Sequence, residues 1–125
     1  MHSPSIAFVL LSLVVGAGCS NAYTNKLNGN WQGIEVLEMD KPLDVDASVI
    51  RFRFADNQYY EYFGTLNYRE AGMYYLESKY LFTTDTVNQA STEKVVEIVK
   101  LNGDTLFLKM NENSRERILK LVKIQ

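Results

Sequence analysis

The chain has 125 residues, with 13 basic and 15 acidic side chains, a net charge of −2, one Cys and one His. That balance offers no basic surface for a nucleic acid or another polyanion, so neither is expected as a partner. A lone Cys excludes an intramolecular disulfide, and a chain of this length suits one small domain with a single core.

No Asp, Glu, Lys or Arg precedes Lys26, and residues 6–15 are almost wholly apolar, followed by Gly16, Ala17 and Gly18. This run is shorter than the roughly 20 apolar residues of a bilayer span and reads as a secretory signal. The small residues directly before Cys19 resemble the lipobox of bacterial lipoproteins. The resemblance implies cleavage before Cys19, a thioether from its sulfur to diacylglycerol, and acylation of its amine by a fatty acid such as palmitate. An ordinary signal peptide, or an uncleaved anchor with an incidental Cys, is the alternative. Lipidation is favoured because an odd Cys in an exported protein otherwise needs a partner. The expected division is a signal peptide over 1–18, the lipidated Cys and a polar tether over 19–26, and a folded domain over 27–125. On this reading the protein meets the membrane through its N-terminal lipid. It then sits at the bacterial cell envelope, on the outer membrane facing the periplasm.

Beyond the tether, short runs rich in Val, Ile, Tyr and Phe alternate with turn residues, an all-β pattern. The predicted strands are 30–38, 48–54, 58–64, 71–76, 79–84, 94–101, 105–110 and 115–123. Asn102-Gly103 is the strongest turn signal, because that pair tolerates the positive φ of a tight hairpin. Two longer loops, 40–47 and 83–92, remain.

Side-chain alternation specifies the hairpin around Asp56. Ile50, Phe52 and Phe54 share one strand face, and Arg51 and Arg53 share the other. A two-residue loop would set Glu61 beside the phenylalanines and bury its carboxylate. A three-residue loop pairs Tyr60 and Tyr62 with Phe54 and Phe52, and Glu61 with an arginine outside. The second arrangement is expected, with Ile50, Phe52, Phe54, Tyr60 and Tyr62 pointing inward.

Eight antiparallel strands on short hairpins suggest an up-and-down barrel, since closure removes exposed edges. The stretch LNGNWQG carries Gly29-Asn30-Trp31 at the start of the first strand. This Gly-x-Trp resembles the lipocalin signature, in which the Trp plugs the closed end of the barrel. FADNQYYEY, EAGMYYLESKYLFTT, DTLFLKM and RILKLVK follow in an order similar to the lipocalin-like domains of bacterial lipoproteins. The resemblance spans roughly residues 27–123. It implies a barrel floor of Gly29 and Trp31, with a cation from the last strand, Lys123 or Lys120, stacked over the ring.

The chemical inventory is mostly negative. The sole His, His2, falls in the predicted signal, and an acylated Cys19 leaves no free thiol. His- and Cys-based nucleophilic arrangements are therefore excluded, as are the common zinc ligand sets other than all-carboxylate ones. Asp40, Asp44 and Asp46 fit no calcium-loop spacing. No metal, cofactor or catalytic residue is assigned, and no enzyme is expected. The positive feature is aromatic density between Phe52 and Phe82, with Tyr75 added to the five inward residues as candidate ligand contacts. Such rings either line a cavity or fill the interior, and an eight-stranded barrel permits both. Arg117 has two readings as well. If Lys109 pairs with Glu116, Arg117 points inward near the mouth and can hold a ligand acid; a slip of one residue turns it to solvent.

The expected function is binding of a small hydrophobic or amphipathic molecule at the cell envelope. The alternative is a packed barrel whose outer surface serves as an interaction or assembly module. Neither reading identifies a protein partner.

Overall fold

The computed structural model describes residues 26–88 and 92–125. The predicted signal, Cys19 and nearly all of the tether lie outside the described residues.

The first strand, β1 (Gly29–Glu38), continues through a tight turn into a two-residue strand, β2 (Lys41–Pro42). Then come β3 (Arg51–Phe54), β4 (Tyr59–Phe63), β5 (Arg69–Glu77) and β6 (Tyr80–Asp85). The last three are β7 (Glu93–Asn102), β8 (Thr105–Glu112) and β9 (Arg115–Lys123). Sequential antiparallel pairing from β3 to β9, with β1 bonded to both β3 and β9, closes an eight-stranded barrel; β2 is a spur on β1. The expected fold class is therefore correct. Closure leaves the barrel strands without a free edge along their paired lengths.

Two expectations about local structure need correction. The predicted strand 48–54 begins only at Arg51, because Ala47–Val49 forms a short 3-10 helix. Its cap is Asp46, whose Oδ1 accepts from the Ser48 backbone N–H at 3.1 Å and from the Ser48 hydroxyl at 2.6 Å. Asp46 thus has a structural task, and among the described residues no three carboxylates gather as a metal site. The second correction concerns Asn102-Gly103. Asn102 pairs with Thr105, so the loop is Gly103-Asp104, and Gly103 does not take positive φ. Among the described residues, left-handed conformations fall instead at Met39-Asp40, Gln58, Leu66-Asn67, Ser78 and Asn113-Ser114.

The hairpin around Asp56 follows the expected register. Phe52 lies opposite Tyr62, Phe54 opposite Tyr60, and Arg53 opposite Glu61. Ala55 N–H donates to the Tyr59 carbonyl at 2.9 Å, which leaves three residues in the loop. Outside, Glu61 accepts from Arg53 Nε at 2.5 Å and from an Arg69 guanidinium nitrogen at 3.2 Å. The Arg53 bond outweighs the effect of partial burial and holds the Glu61 carboxyl below its usual range.

Two bulges reset the inward pattern. The β1 register shifts between Gly33 and Glu35, leaving Ile34 exposed and turning Val36 and then Glu38 to the interior. On β7 a shift between Ile98 and Lys100 does the same around Val99. An extra residue in one strand reverses the alternation beyond it.

The core lies toward one end, where Leu27, Trp31, Phe54, Leu106 and Leu121 are buried. Trp31 Nε1 donates to the Leu27 carbonyl at 2.8 Å. Lys123 lies over the Trp31 ring, so the cation that the resemblance implied is Lys123, while Lys120 pairs outside with Glu35 at 3.2 Å. Gly29 has φ +131°, and a Cβ there would stand 2.6 Å from Lys123 Cε. Only glycine accommodates both the conformation and the approach.

Candidate functional site

The opposite end of the barrel is open. Its rim is formed by the chain between β1 and β3, by the turns after β4 and β8, and by residues 86–88 after β6. Below it lies a cleft of about 590 Å³, within the roughly 300–1,000 Å³ common for small-molecule sites.

Rings and apolar groups make most of the wall. Phe52, Tyr62, Leu81, Val96 and Met110 line it, with Tyr60 at depth. Phe52 and Tyr62 contact at 4.7 Å between centroids, and Tyr62 meets Tyr68 edge-on at 6.0 Å. These geometries are favourable for aromatic pairs and hold the wall in shape.

One side of the wall is polar, centred on Glu70. This carboxylate is 5% exposed and accepts from three donors. Tyr60 donates its hydroxyl at 2.7 Å, Tyr68 at 2.8 Å, and Lys94 its ammonium at 2.9 Å. Thr83 joins the same wall. A buried carboxylate costs several kcal/mol unless hydrogen-bonded and paired, and Glu70 is both. Burial first, then the bond to Glu70 and its charge, push the Tyr60 phenol far above its usual range. For Tyr68 the bond to Glu70 leads, with burial adding, and the shift is again upward. Burial pulls Lys94 down, but the bond and charge of Glu70 outweigh it and the net shift is upward.

Asp85 lies next to this cluster and is 4% exposed. Its Oδ1 accepts from the backbone N–H groups of Val87 at 3.0 Å, Ala71 at 3.3 Å and Asn88 at 3.4 Å. Its Oδ2 accepts from the Asn88 side chain at 2.6 Å. Asp85 thus ties the end of β6 to β5. Among the described residues, no buried side-chain nitrogen or oxygen lacks a partner.

The sequence-derived candidates separate into four groups. Phe52, Tyr60 and Tyr62 line the cleft. Ile50 and Phe54 are buried in the packed core, with Phe54 stacked on Phe52 at 5.4 Å and edge-on to Tyr74 at 5.2 Å. Tyr75 is a correction: it is 41% exposed on the outer face and stacks on Phe82 at 4.7 Å. Alternation along β5 sends Tyr74 inward and so must send Tyr75 outward. Arg117 has the inward parity of Leu119 and Leu121, but its Nε donates to Glu38 at 3.1 Å at the rim. Lys109 lies opposite Ile118, in neither of the two registers expected for this hairpin, and it reaches Glu116 diagonally at 3.1 Å. This slip of two residues from the Lys109–Glu116 pairing preserves the parity.

Glu70, Tyr68, Thr83 and Lys94 were missed. Starting the fourth predicted strand at residue 71 left Glu70 in a loop, although Glu70 has the same strand parity as Gly72 and Tyr74. Lys94 shares a face with Val96 and Ile98, a signal present in the sequence but unread.

No protein-family model matches the sequence, and no curated protein matches it. Among solved structures, a lipocalin-like protein from Bacteroides uniformis superposes with a TM-score of 0.60 at 14% identity. That match covers 79% of this chain and 99% of the other. An uncharacterized protein from Bacteroides eggerthii gives a TM-score of 0.51 at 17% identity, over 75% of this chain and 98% of that one. At such identities the likeness concerns the fold. With its closed eight-stranded antiparallel barrel and a Trp at one end under a stacked cation, this chain has the lipocalin-like fold.

Proposed function

We propose that the protein is a lipid-anchored binding protein of the bacterial cell envelope, which holds a small amphipathic molecule in the open end of its barrel. The observation that carries this reading is the cleft itself, apolar over most of its wall and polar around Glu70. A site of that composition binds an apolar body by expelling water and orients it with a few placed polar groups. The anchor rests on the sequence alone, on the apolar run that ends at Cys19.

The test is uptake of an apolar fluorescent probe by the full chain carrying Cys19→Ala, with native mass spectrometry of co-purifying lipids. Saturable one-to-one binding, weakened by Phe52→Trp in a protein that remains folded, is the expected result. Absent or unsaturable uptake would sink it.

The interaction-module reading draws on the outer face. Tyr75, Phe82 and Val95 lie in one row across β5, β6 and β7, and the first and last are exposed. This reading takes over where the cleft stays empty in that experiment.

A further inference from the structure

The aromatic wall accepts many apolar bodies, but the ionisable groups restrict the head group. Among the described residues lining the cleft, Glu70 and Lys94 are the acid and the base, and they bond to each other at 2.9 Å. Their charges cancel. Asp85 adds one negative charge close by, with both oxygens already engaged by Ala71, Val87 and Asn88. At the rim, the Glu38 carboxylate pairs with Arg117 at 3.1 Å and with Arg115 at 3.9 Å.

A carboxylate entering this cleft meets Lys94 only beside the Glu70 carboxylate, with the Asp85 carboxylate close by. Like charges at that range disfavour the ionised form, and the lost hydration has no full replacement. A cationic head is repelled by the Lys94 ammonium and finds the Glu70 charge already neutralised by it. A hydroxyl meets neither obstacle. A carboxylate has about four acceptor positions, and Glu70 uses three of them on Tyr60, Tyr68 and Lys94. An ammonium has three donors, and the Glu70 contact takes one. A hydroxyl placed between them donates to Glu70 and accepts from Lys94 at once.

Resting on the binding reading above, we infer that the ligand has an uncharged, hydroxyl-bearing head on an apolar body: the chemistry of a fatty alcohol, a monoacylglycerol or a neutral glycolipid.

The experiment is competition against a bound apolar fluorescent probe on the full chain carrying Cys19→Ala, at neutral pH and below micelle formation. The competitors are lauric acid, laurylamine and 1-monolaurin, which share an apolar chain and differ in the head. Monolaurin is expected to bind about tenfold more tightly than either charged analogue. Glu70→Gln keeps the shape, removes the negative charge and leaves Lys94 unopposed, so lauric acid should become the tightest competitor. Lys94→Met, a change at a half-exposed position, should move the preference to laurylamine. If wild type takes the acid or the amine as well as monolaurin, or if Glu70→Gln leaves the order unchanged, the inference is wrong and the cleft reading stands. If the probe itself never binds to folded protein, the cleft reading fails and this inference with it.

Discussion

Lys123 and Trp31 close the barrel floor together, the ammonium lying 5.3 Å from the centroid of a fully buried ring. The pair joins the first strand to the last, because Trp31 and Lys123 are register partners across β1 and β9. A cation over an aromatic face contributes about 0.5–1 kcal/mol where it remains partly hydrated. Lys123→Met should therefore lower stability by that amount in urea denaturation, and Lys123→Arg should restore it. Trp31→Ala, which empties the floor, should cost about 3–5 kcal/mol. The opposite ranking would mean that the floor is held by the charge rather than by the ring.

The hairpin of β3 and β4 separates two neighbouring residues by function. Tyr60 is fully buried with its hydroxyl on Glu70, whereas Glu61 is paired outside with two arginines. Tyr60→Phe leaves the ring and removes a hydrogen bond to a charged group, at a cost of about 1.5–3 kcal/mol. Glu61→Ala should cost under about 1 kcal/mol, as for other pairs near the surface. Paired denaturation curves at neutral pH check both, and a larger loss for Glu61→Ala would contradict the inward face assigned to Tyr60.

Stability should fall at both ends of the pH range, for different residues. Burial alone raises Asp85, but bonds from Asn88, Val87 and Ala71 outweigh it and hold the carboxyl below its usual range. Its contribution is then complete above the unfolded value of about 3.9 and is lost as the pH falls through the folded value. Tyr60 moves the other way, raised by burial and by Glu70. Its contribution is complete below the unfolded phenol value of about 10 and is lost as the pH rises beyond it. Urea midpoints across pH should show a weaker acid limb in Asp85→Asn and a weaker alkaline limb in Tyr60→Phe. Unchanged limbs in the two variants would assign the titrations elsewhere.

The anchor has its own assay. If Cys19 bears the lipid, Cys19→Ala should shift the protein from the detergent phase to the aqueous phase on partitioning, because acyl chains supply the membrane affinity. A variant that stays with the detergent would make residues 6–18 an uncleaved anchor and remove lipidation from the proposal.

Much of the barrel was legible because its signals are local. Alternation in VIRFRF and QYYEYFG, together with the cost of burying Glu61, was enough to predict a three-residue loop and the pairing of Phe52 with Tyr62. Tyr75 was misassigned although the same rule applies to it. Aromatic density drew it into the lining, whereas the inward register of β5 belongs to Glu70 and Tyr74. Glu70 was hidden for the opposite reason: a charged residue at a strand start reads as loop until its three donors are seen converging on it.

The sequence by itself determined the eight barrel strands, the closed end at Gly29 and Trp31, and the inward face of the hairpin around Asp56. Each follows from the residue alternation of a strand or from a short motif, which depend on neighbours in the chain. The tertiary structure alone decided the bulge that turns Glu38 inward to meet Arg117, and the convergence of Tyr60, Tyr68 and Lys94 on Glu70. A bulge reverses side-chain parity without any fixed sequence signal, and the Glu70 cluster draws on β4, β5, β7 and the turn between β4 and β5. Such groups come within hydrogen-bonding distance only once the sheet has curled and closed.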